Sequence, residues 1–152
     1  MIIKSTEHLR SISDKIADKV SEDDCIFLIG EIGVGKTTFT RYFINYLQKK
    51  KGVKQTEVLS PTFNLLYEYE IKNLKVMHYD LYRIKNKKEL TQLGIFGEGI
   101  NSIKIIEWPE LVETNLANRL ELHLKHSDNE NERELNVEGY GKWKEICEGE
   151  TS

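Results

Sequence analysis

The sequence has little cysteine, little proline and no long apolar run, and each shortage excludes a class of protein. Its only cysteines, Cys25 and Cys147, lack the paired spacing of a zinc site or of a disulfide scaffold. Such sparse thiols are typical of a reducing compartment, so we expect a cytoplasmic protein. No segment approaches the roughly 18 apolar residues that span a membrane, and the first ten residues lack a signal-peptide core. We therefore expect no contact with a membrane.

Positive charge is also in short supply, which argues against direct binding of nucleic acid. The chain carries 22 Lys and Arg against 25 Asp and Glu, a formal net charge of -3. Non-specific affinity for DNA or RNA depends on basic residues that neutralise phosphates. We therefore expect no DNA binding and no independent binding of tRNA.

Length and composition indicate one domain. The chain has 152 residues, of which 39% are hydrophobic and 31% charged, as in an ordinary globular protein with its own core. We expect a single domain over residues 1–152, with a core at about 5–138 and a short C-terminal helix or tail.

Hydrophobic periodicity predicts alternating helices and strands, followed by hairpins. Helical spacing marks residues 5–20, with Ser5 or Thr6 as the N-cap, and residues 36–50, with a glycine cap at Gly52. A short helix is predicted at 85–95 and a loop at 96–101. Strands are predicted at 25–30, at 57–60, where Pro61 cuts the strand off, twice within 64–83, and at 102–108, 119–126 and 133–137. This order is typical of an α/β sandwich on a mixed sheet with a parallel core and antiparallel hairpin additions.

A complete Walker A pattern lies between a predicted strand and a predicted helix. It reads Gly30-x-x-x-x-Gly35-Lys36-Thr37 within the stretch FLIGEIGVGKTTFTRYF. Glycines let backbone N–H groups surround a phosphate, and the N-terminus of the following helix attracts the same anion. Lys36 would reach the β- and γ-phosphates, and as an exposed lysine it would support no core; the Thr37 hydroxyl would bind Mg²⁺. The predicted nucleotide-binding residues are Gly33, Val34, Gly35, Lys36, Thr37 and Thr38.

Three further polar residues follow predicted strands or lie in loops, and each has a plainer alternative. Glu107 ends an apolar strand, where a P-loop protein needs a second carboxylate for its metal; it could also merely end the strand. Asp80 would orient the attacking water or hold a metal-bound water, unless it is a surface acid paired with Arg83. Thr62, in the SPTF loop, would sense the γ-phosphate as switch loops do, unless it only caps a turn.

Five segments, in this order, resemble the TsaE family, once called YjeE. They are GEIGVGKTTFTR, SPTFNLLYEY, HYDLYRI, ELTQLGI and IIEWPE. The resemblance extends from the first helix to about Val137. Many NTPases share the Walker A motif, whereas SPTF, HYDLYR and EWPE together are specific. The resemblance implies a P-loop NTPase fold, which is a three-layer α/β sandwich.

The resemblance also implies an activity, partners and residue roles. It implies an ATPase that uses ATP and Mg²⁺ and supports the TsaB–TsaD heterodimer, which modifies the adenosine next to the anticodon of ANN-decoding tRNAs. Hydrolysis would be weak alone and stimulated by partners, and tRNA would be met only through that complex. By this resemblance, Lys36 and Thr37 have the P-loop roles and Thr62 is the switch residue. Asp80 is the catalytic acid, Glu107 is a Mg²⁺ ligand and Trp108 is a functional aromatic.

Two other functions and two residues stay open at this point. A small metabolite or nucleoside kinase would share the P-loop but should carry an arginine-rich lid, and the arginines here are scattered. A nucleotide switch without significant hydrolysis would share every motif. Trp108 would contact nucleotide or partner, or pack in the core, and His78 is expected to be an ordinary sheet residue.

Overall fold

The structure is a computed structural model that describes residues 1–95, 101–112 and 118–150, without the side chains of 148–150. The predicted loop at 96–101 lies outside the described residues except for its last position. The described elements, in chain order, are β1 (Ile2–Ile3), α1 (Thr6–Lys19), β2 (Cys25–Ile29), α2 (Lys36–Lys50), β3 (Leu66–Ile71), β4 (Leu74–Asp80), α3 (Lys87–Gln92), β5 (Ile103–Glu107), β6 (Arg119–His126), β7 (Arg133–Tyr140) and α4 (Lys142–Glu150).

All of the described strands belong to one mixed sheet. Its order is β1-β7-β6-β2-β5-β4-β3. The central pairs β6–β2, β2–β5 and β5–β4 are parallel, whereas the outer pairs β3–β4, β6–β7 and β1–β7 are antiparallel. The predicted fold class, a parallel core with antiparallel hairpins added at both sides, is therefore confirmed.

The two faces of the sheet bury different sets of side chains, which makes the fold three-layered. On one face, Phe39 and Phe43 of α2 pack with Ile26 of β2 in the larger cluster. On the other face, Phe27 belongs to a smaller cluster against which Leu90 of α3 packs. Successive residues of a strand point to opposite faces, so a strand covered on both sides must be apolar at every position. This explains the uninterrupted apolar run of β2.

The boundaries of α1 and α2 agree with their predicted signals, whereas α3 spans only Lys87–Gln92 of the segment predicted at 85–95. The Ser5 side chain accepts a hydrogen bond from the His8 backbone N–H, so Ser5, not Thr6, is the N-cap of α1. After α2, Gly52 adopts a left-handed φ of 70° and its N–H donates to the Lys49 carbonyl. Among the described residues, no helix has the length and apolar character needed to cross a bilayer.

The strand predicted at 57–60 is wrong, because this segment has no regular structure. Of its two apolar side chains, Val58 is fully buried and Leu59 is 49% exposed. Just before the segment, the Gln48 side chain bonds both the N–H and the hydroxyl of Thr56. The two-residue β1 was not predicted, and β7 runs three residues further than expected, to Tyr140.

We expect Gly139→Ala to destabilise the protein, because a Cβ there would collide with the backbone of α4. The added Cβ would overlap the carbonyl group of Trp143 and lie 2.8 Å from the backbone N of Lys144. Forced overpacking of this kind costs about 1–3 kcal/mol. Urea unfolding followed by circular dichroism should show a lower midpoint, with Asn136→Ala, an exposed position on the same strand, as the control. An unchanged midpoint in Gly139→Ala would contradict the close packing of α4 on β7.

Candidate functional site

The predicted site residues meet at the carboxyl ends of β2, β4 and β5, around a cavity of about 320 Å³. In open α/β sheets, ligands bind at this edge. The cavity is lined by Ile32, Gly33, Gly35, Lys36, Thr37, Thr38, Ser60, Thr62, Asp80, Tyr82, Glu107 and Trp108. Of the residues predicted for the site, Val34 does not line the cavity. Its side chain is buried in the core, and its N–H donates to the Glu31 carbonyl at 3.3 Å.

The loop between β2 and α2 has the backbone geometry of a phosphate cradle. Gly35 is the N-cap of α2 with a left-handed φ of 117°, and it has no side chain to cap the helix. The first N–H groups of α2 are therefore left for an anion. At the other end of the loop, a Cβ on Gly30 would collide with the Leu124 carbonyl oxygen, so a glycine is needed there for close passage past β6.

Lys36 is buried, which corrects the expectation of an exposed lysine that supports no core. Lys36 is 5% exposed, and its Nζ donates a hydrogen bond to the Gly30 carbonyl at 2.5 Å. The same ammonium lies 3.7 Å from the centroid of the Trp108 ring, a cation–π contact. Burial lowers the Lys36 pKa below its ordinary value of 10.5, and the nearby carboxylates, Glu107 first, oppose that shift. The ammonium thus contacts a backbone carbonyl and an aromatic ring.

The two predicted acids lie side by side. Asp80 ends β4 and Glu107 ends β5, and the parallel register places them directly opposite each other. Both are buried, with 3% exposure each. The Thr37 hydroxyl lies 3.5 Å from both carboxylate oxygens of Glu107. Hydroxyl and carboxylate oxygens are the donors that Mg²⁺ prefers, so Thr37 and Glu107 form a donor set that fits this ion.

Asp80 is tied to the SPTF loop. Its Oδ2 accepts a hydrogen bond from the Thr62 hydroxyl at 2.8 Å, and its Oδ1 accepts one from the Tyr82 N–H at 3.0 Å. The Ser60 hydroxyl lies 2.8 Å from that of Thr62 and extends the chain of hydroxyls. Arg83 donates to the Phe63 carbonyl instead, so the alternative of a surface pair between Asp80 and Arg83 is wrong.

Trp108 both packs and faces the cavity. It is partly buried against the smaller core cluster, and its ring lies 4.9 Å from that of Tyr82. Its φ of 58° is left-handed, a conformation that a bulky residue adopts only at a cost. This turn aims the indole at Lys36 rather than along the strand. Tyr82, Ser60 and Ile32 complete the cavity; sequence reasoning had not assigned them to it, although the SPTF and HYDLYR motifs contain the first two.

His78 is a sheet residue, as expected, but it also contacts Glu107 of the site from within the core. It belongs to β4 and is fully buried. Its Nε2 lies 2.6 Å from Oε2 of Glu107. It does not line the cavity.

Known proteins of one family match nearly the whole chain. The family model described as "Threonylcarbamoyl adenosine biosynthesis protein TsaE" matches residues 3–135. The tRNA threonylcarbamoyladenosine biosynthesis protein TsaE of Rickettsia conorii is 36% identical over 129 residues, which cover 84% of this chain and 71% of that protein. Its namesake in Bacillus subtilis is 30% identical over 145 residues, covering 93% and 87%. The crystal structure of Bacillus subtilis YdiB superposes with a TM-score of 0.73 and 26% identity, covering 98% of this chain and 90% of that one.

The partners of Lys36 predict how its removal would act. Lys36→Ala deletes the fixed cation of the cradle, and loss of one charge-assisted contact, about 1.5–3 kcal/mol, should weaken ATP binding at least about tenfold. Lys36→Met, which keeps most of the buried alkyl stem, should lose binding equally but retain more stability. Isothermal calorimetry and urea unfolding measure the two effects. Unchanged ATP affinity in Lys36→Met would show that the loop does not use this cation.

Proposed function

Because the chain belongs to the TsaE family, it functions in tRNA threonylcarbamoyladenosine biosynthesis, and we propose that it does so by hydrolysing ATP. Its P-loop NTPase fold is a nucleotide-binding fold. One observation supports the proposal most directly: a buried carboxylate, Asp80, lies at the mouth of the phosphate cradle beside the Thr37 and Glu107 pair. A nucleotide switch without hydrolysis would not need that second buried acid.

In this proposal, the phosphates of ATP lie along residues 33–38, and Lys36 contacts the β- and γ-phosphates. Thr37 and Glu107 hold Mg²⁺. When bound, the ion would offset charge on the β- and γ-phosphates. Trp108 keeps the Lys36 ammonium at the mouth of the cradle, where it lies now at 3.7 Å from the ring centroid. The indole would thus act on phosphate binding through the lysine that it contacts.

Asp80 is proposed to orient the attacking water, and Thr62 to control when it does so. A threonine hydroxyl has one hydrogen to donate, and here Asp80 receives it. If Thr62 turned toward the γ-phosphate or the metal, it would release Oδ2 of Asp80. The Tyr82 N–H would still hold Oδ1, so the carboxylate would keep its place while one oxygen became available to water. The hydroxyl thus couples the position of the SPTF loop to the state of the acid.

We propose TsaB and TsaD as the partners that move this loop. An apolar rim of exposed side chains consists of Ile32 (70%) and Tyr82 (53%), which line the cavity, and of Phe63 (84%) and Leu59 (49%), which adjoin the cavity residues Thr62 and Ser60 in sequence. Leu59 and Phe63 flank the Ser60–Thr62 turn itself. Clustered exposed apolar side chains are typical of surfaces that other proteins cover. Docking of the heterodimer on this rim would act on Thr62 directly, and tRNA would be met only through that complex.

The proposed role of Asp80 predicts a separation of binding from hydrolysis. Asp80→Asn keeps an oxygen for the Tyr82 N–H but loses the charge that orients water, so ATP affinity should stay within about threefold of wild type. The hydrolysis rate should fall by about 10²-fold or more, the range for removal of a general acid–base group. Glu130→Gln, an exposed acid between β6 and β7 that does not line the cavity, is the control. Single-turnover hydrolysis at saturating Mg-ATP measures the rate; an Asp80→Asn protein that hydrolyses like wild type would refute this role.

The proposed partner predicts that stimulation depends on Thr62. The wild-type protein should hydrolyse ATP weakly alone and faster with TsaB–TsaD. Thr62→Val, which removes only the hydroxyl, should lower the stimulated rate about tenfold, as expected for one hydrogen bond to a charged group, and change ATP affinity less. Thr91→Val, on α3, is the matched control.

The same assay discriminates between the functions that the sequence left open. Rapid hydrolysis by the isolated protein, indifferent to the heterodimer, would contradict partner control. Phosphate transfer to a small acceptor would favour a kinase, and no hydrolysis under any condition would favour a switch.

A further inference from the structure

Within the described part of the chain, the imidazole of His78 has one hydrogen-bond partner, which is Glu107. Nε2 lies 2.6 Å from Glu107 Oε2, whereas Nδ1 has no hydrogen-bond partner among the described residues. An ionised carboxylate only accepts hydrogen bonds, so Nε2 carries the hydrogen and donates it. The ring is completely buried, so solvent does not serve Nδ1 either. The hydrogen bonding of His78 is therefore committed to one carboxylate.

Packing alone does not account for a histidine at this position. Its side chain shares a face of the sheet with Val76 of β4 and with Ile103 and Ile105 of β5, all in the larger core cluster. A buried nitrogen without a partner costs free energy in such surroundings. An aliphatic side chain would fill the same space without that cost. The bond to Glu107 is what an aliphatic residue could not supply.

That bond controls which way the carboxylate faces. His78 holds Oε2 from the core side, while the Thr37 hydroxyl lies 3.5 Å from each oxygen on the cavity side. If the carboxylate rotated away from Thr37, the short bond to Nε2 would break. Outer hydrogen-bond partners commonly orient metal-binding side chains in this way.

We propose that His78 is a positioning residue, which orients Glu107 as a ligand for the divalent cation of the nucleotide complex. The inference rests on the metal role proposed above for Glu107. His78 does not line the cavity and acts only through the carboxylate. It should therefore affect the metal and leave the contacts of the nucleotide with the P-loop unchanged.

The test compares two replacements of His78 by their Mg²⁺ dependence. His78→Leu fills the site without a donor, and His78→Gln places an amide N–H at about the reach of Nε2. Binding of a fluorescent, non-hydrolysable ATP analogue is titrated with Mg²⁺ and repeated in EDTA. His78→Leu should need about tenfold more Mg²⁺, the lower end of the loss typical for outer partners of a metal ligand. His78→Gln should stay within about threefold of wild type, and affinities in EDTA should be equal for all three proteins.

The outcomes separate this inference from the proposed function. If Glu107→Gln raises the Mg²⁺ requirement and a folded His78→Leu does not, the positioning role of His78 is overturned and the metal site stands. If wild type binds the analogue equally with and without Mg²⁺, the metal site fails and the role of His78 with it. If His78→Leu and His78→Gln lose the same amount of affinity for the analogue, both with Mg²⁺ and in EDTA, the histidine is only structural. If His78→Leu does not fold, His78→Asn takes its place, since the asparagine amide is too short to reach Glu107. A Mg²⁺ requirement of His78→Asn equal to that of His78→Gln would then overturn the proposal.

Discussion

The parallel pairing of β5 with β2 on one side and β4 on the other is the constraint on which the site depends. It aligns three strand ends: β2 leads into the phosphate loop, β5 ends at Glu107 and β4 ends at Asp80. Because parallel strands all end at the same edge, Asp80 and Glu107 meet although they are 27 positions apart, and Glu107 meets Thr37 although they are 70 positions apart. A shift of one residue in the β4–β5 register would turn Asp80 to the opposite face of the sheet. Two fully covered faces, packed with apolar side chains, prevent that shift.

Burial makes the charges of this site depend on one another. Lys36, Asp80 and Glu107 are all at most 5% exposed, and they sum to one negative charge. Burial of a charge costs free energy unless the charge is paired. Lys36, the cation among these three, also contacts a backbone carbonyl and an aromatic ring. The formal charges of these three side chains leave an excess of negative charge beside Glu107. A divalent cation held by Thr37 and Glu107, as proposed above, would offset that excess.

Sequence patterns predicted the elements that carry strong local signals. The glycine pattern and the apolar run before it located the phosphate loop, and alternation located the hairpins. The strand predicted at 57–60 is wrong because its two apolar residues suggest a strand, whereas the chain just before it is bonded by the Gln48 side chain, a contact with no local sequence signature. The same limit applies to Lys36, whose ammonium contacts the ring of Trp108 on another element, and to His78, whose partner lies 29 residues away on another strand. Motif spacing indicates which residues share an edge; it does not indicate what each side chain touches.

The SPTF loop joins the surface of the molecule to its buried acid through few bonds. The Leu65 carbonyl accepts the Asp80 N–H at 3.0 Å, so the end of the loop is fixed to the same residue that Thr62 contacts through its hydroxyl. Between these two anchors, Phe63 projects into solvent. Phe63 is also held by Arg83, which donates to its carbonyl and lies 5.8 Å from the centroid of its ring. Displacement of Phe63 would therefore act on the Arg83 contacts and on the neighbouring Thr62–Asp80 bond together. A partner that covers the apolar rim could change the hydrogen bonding of Asp80 without moving the sheet, and hydrolysis could respond to docking while the phosphate cradle stays as it is.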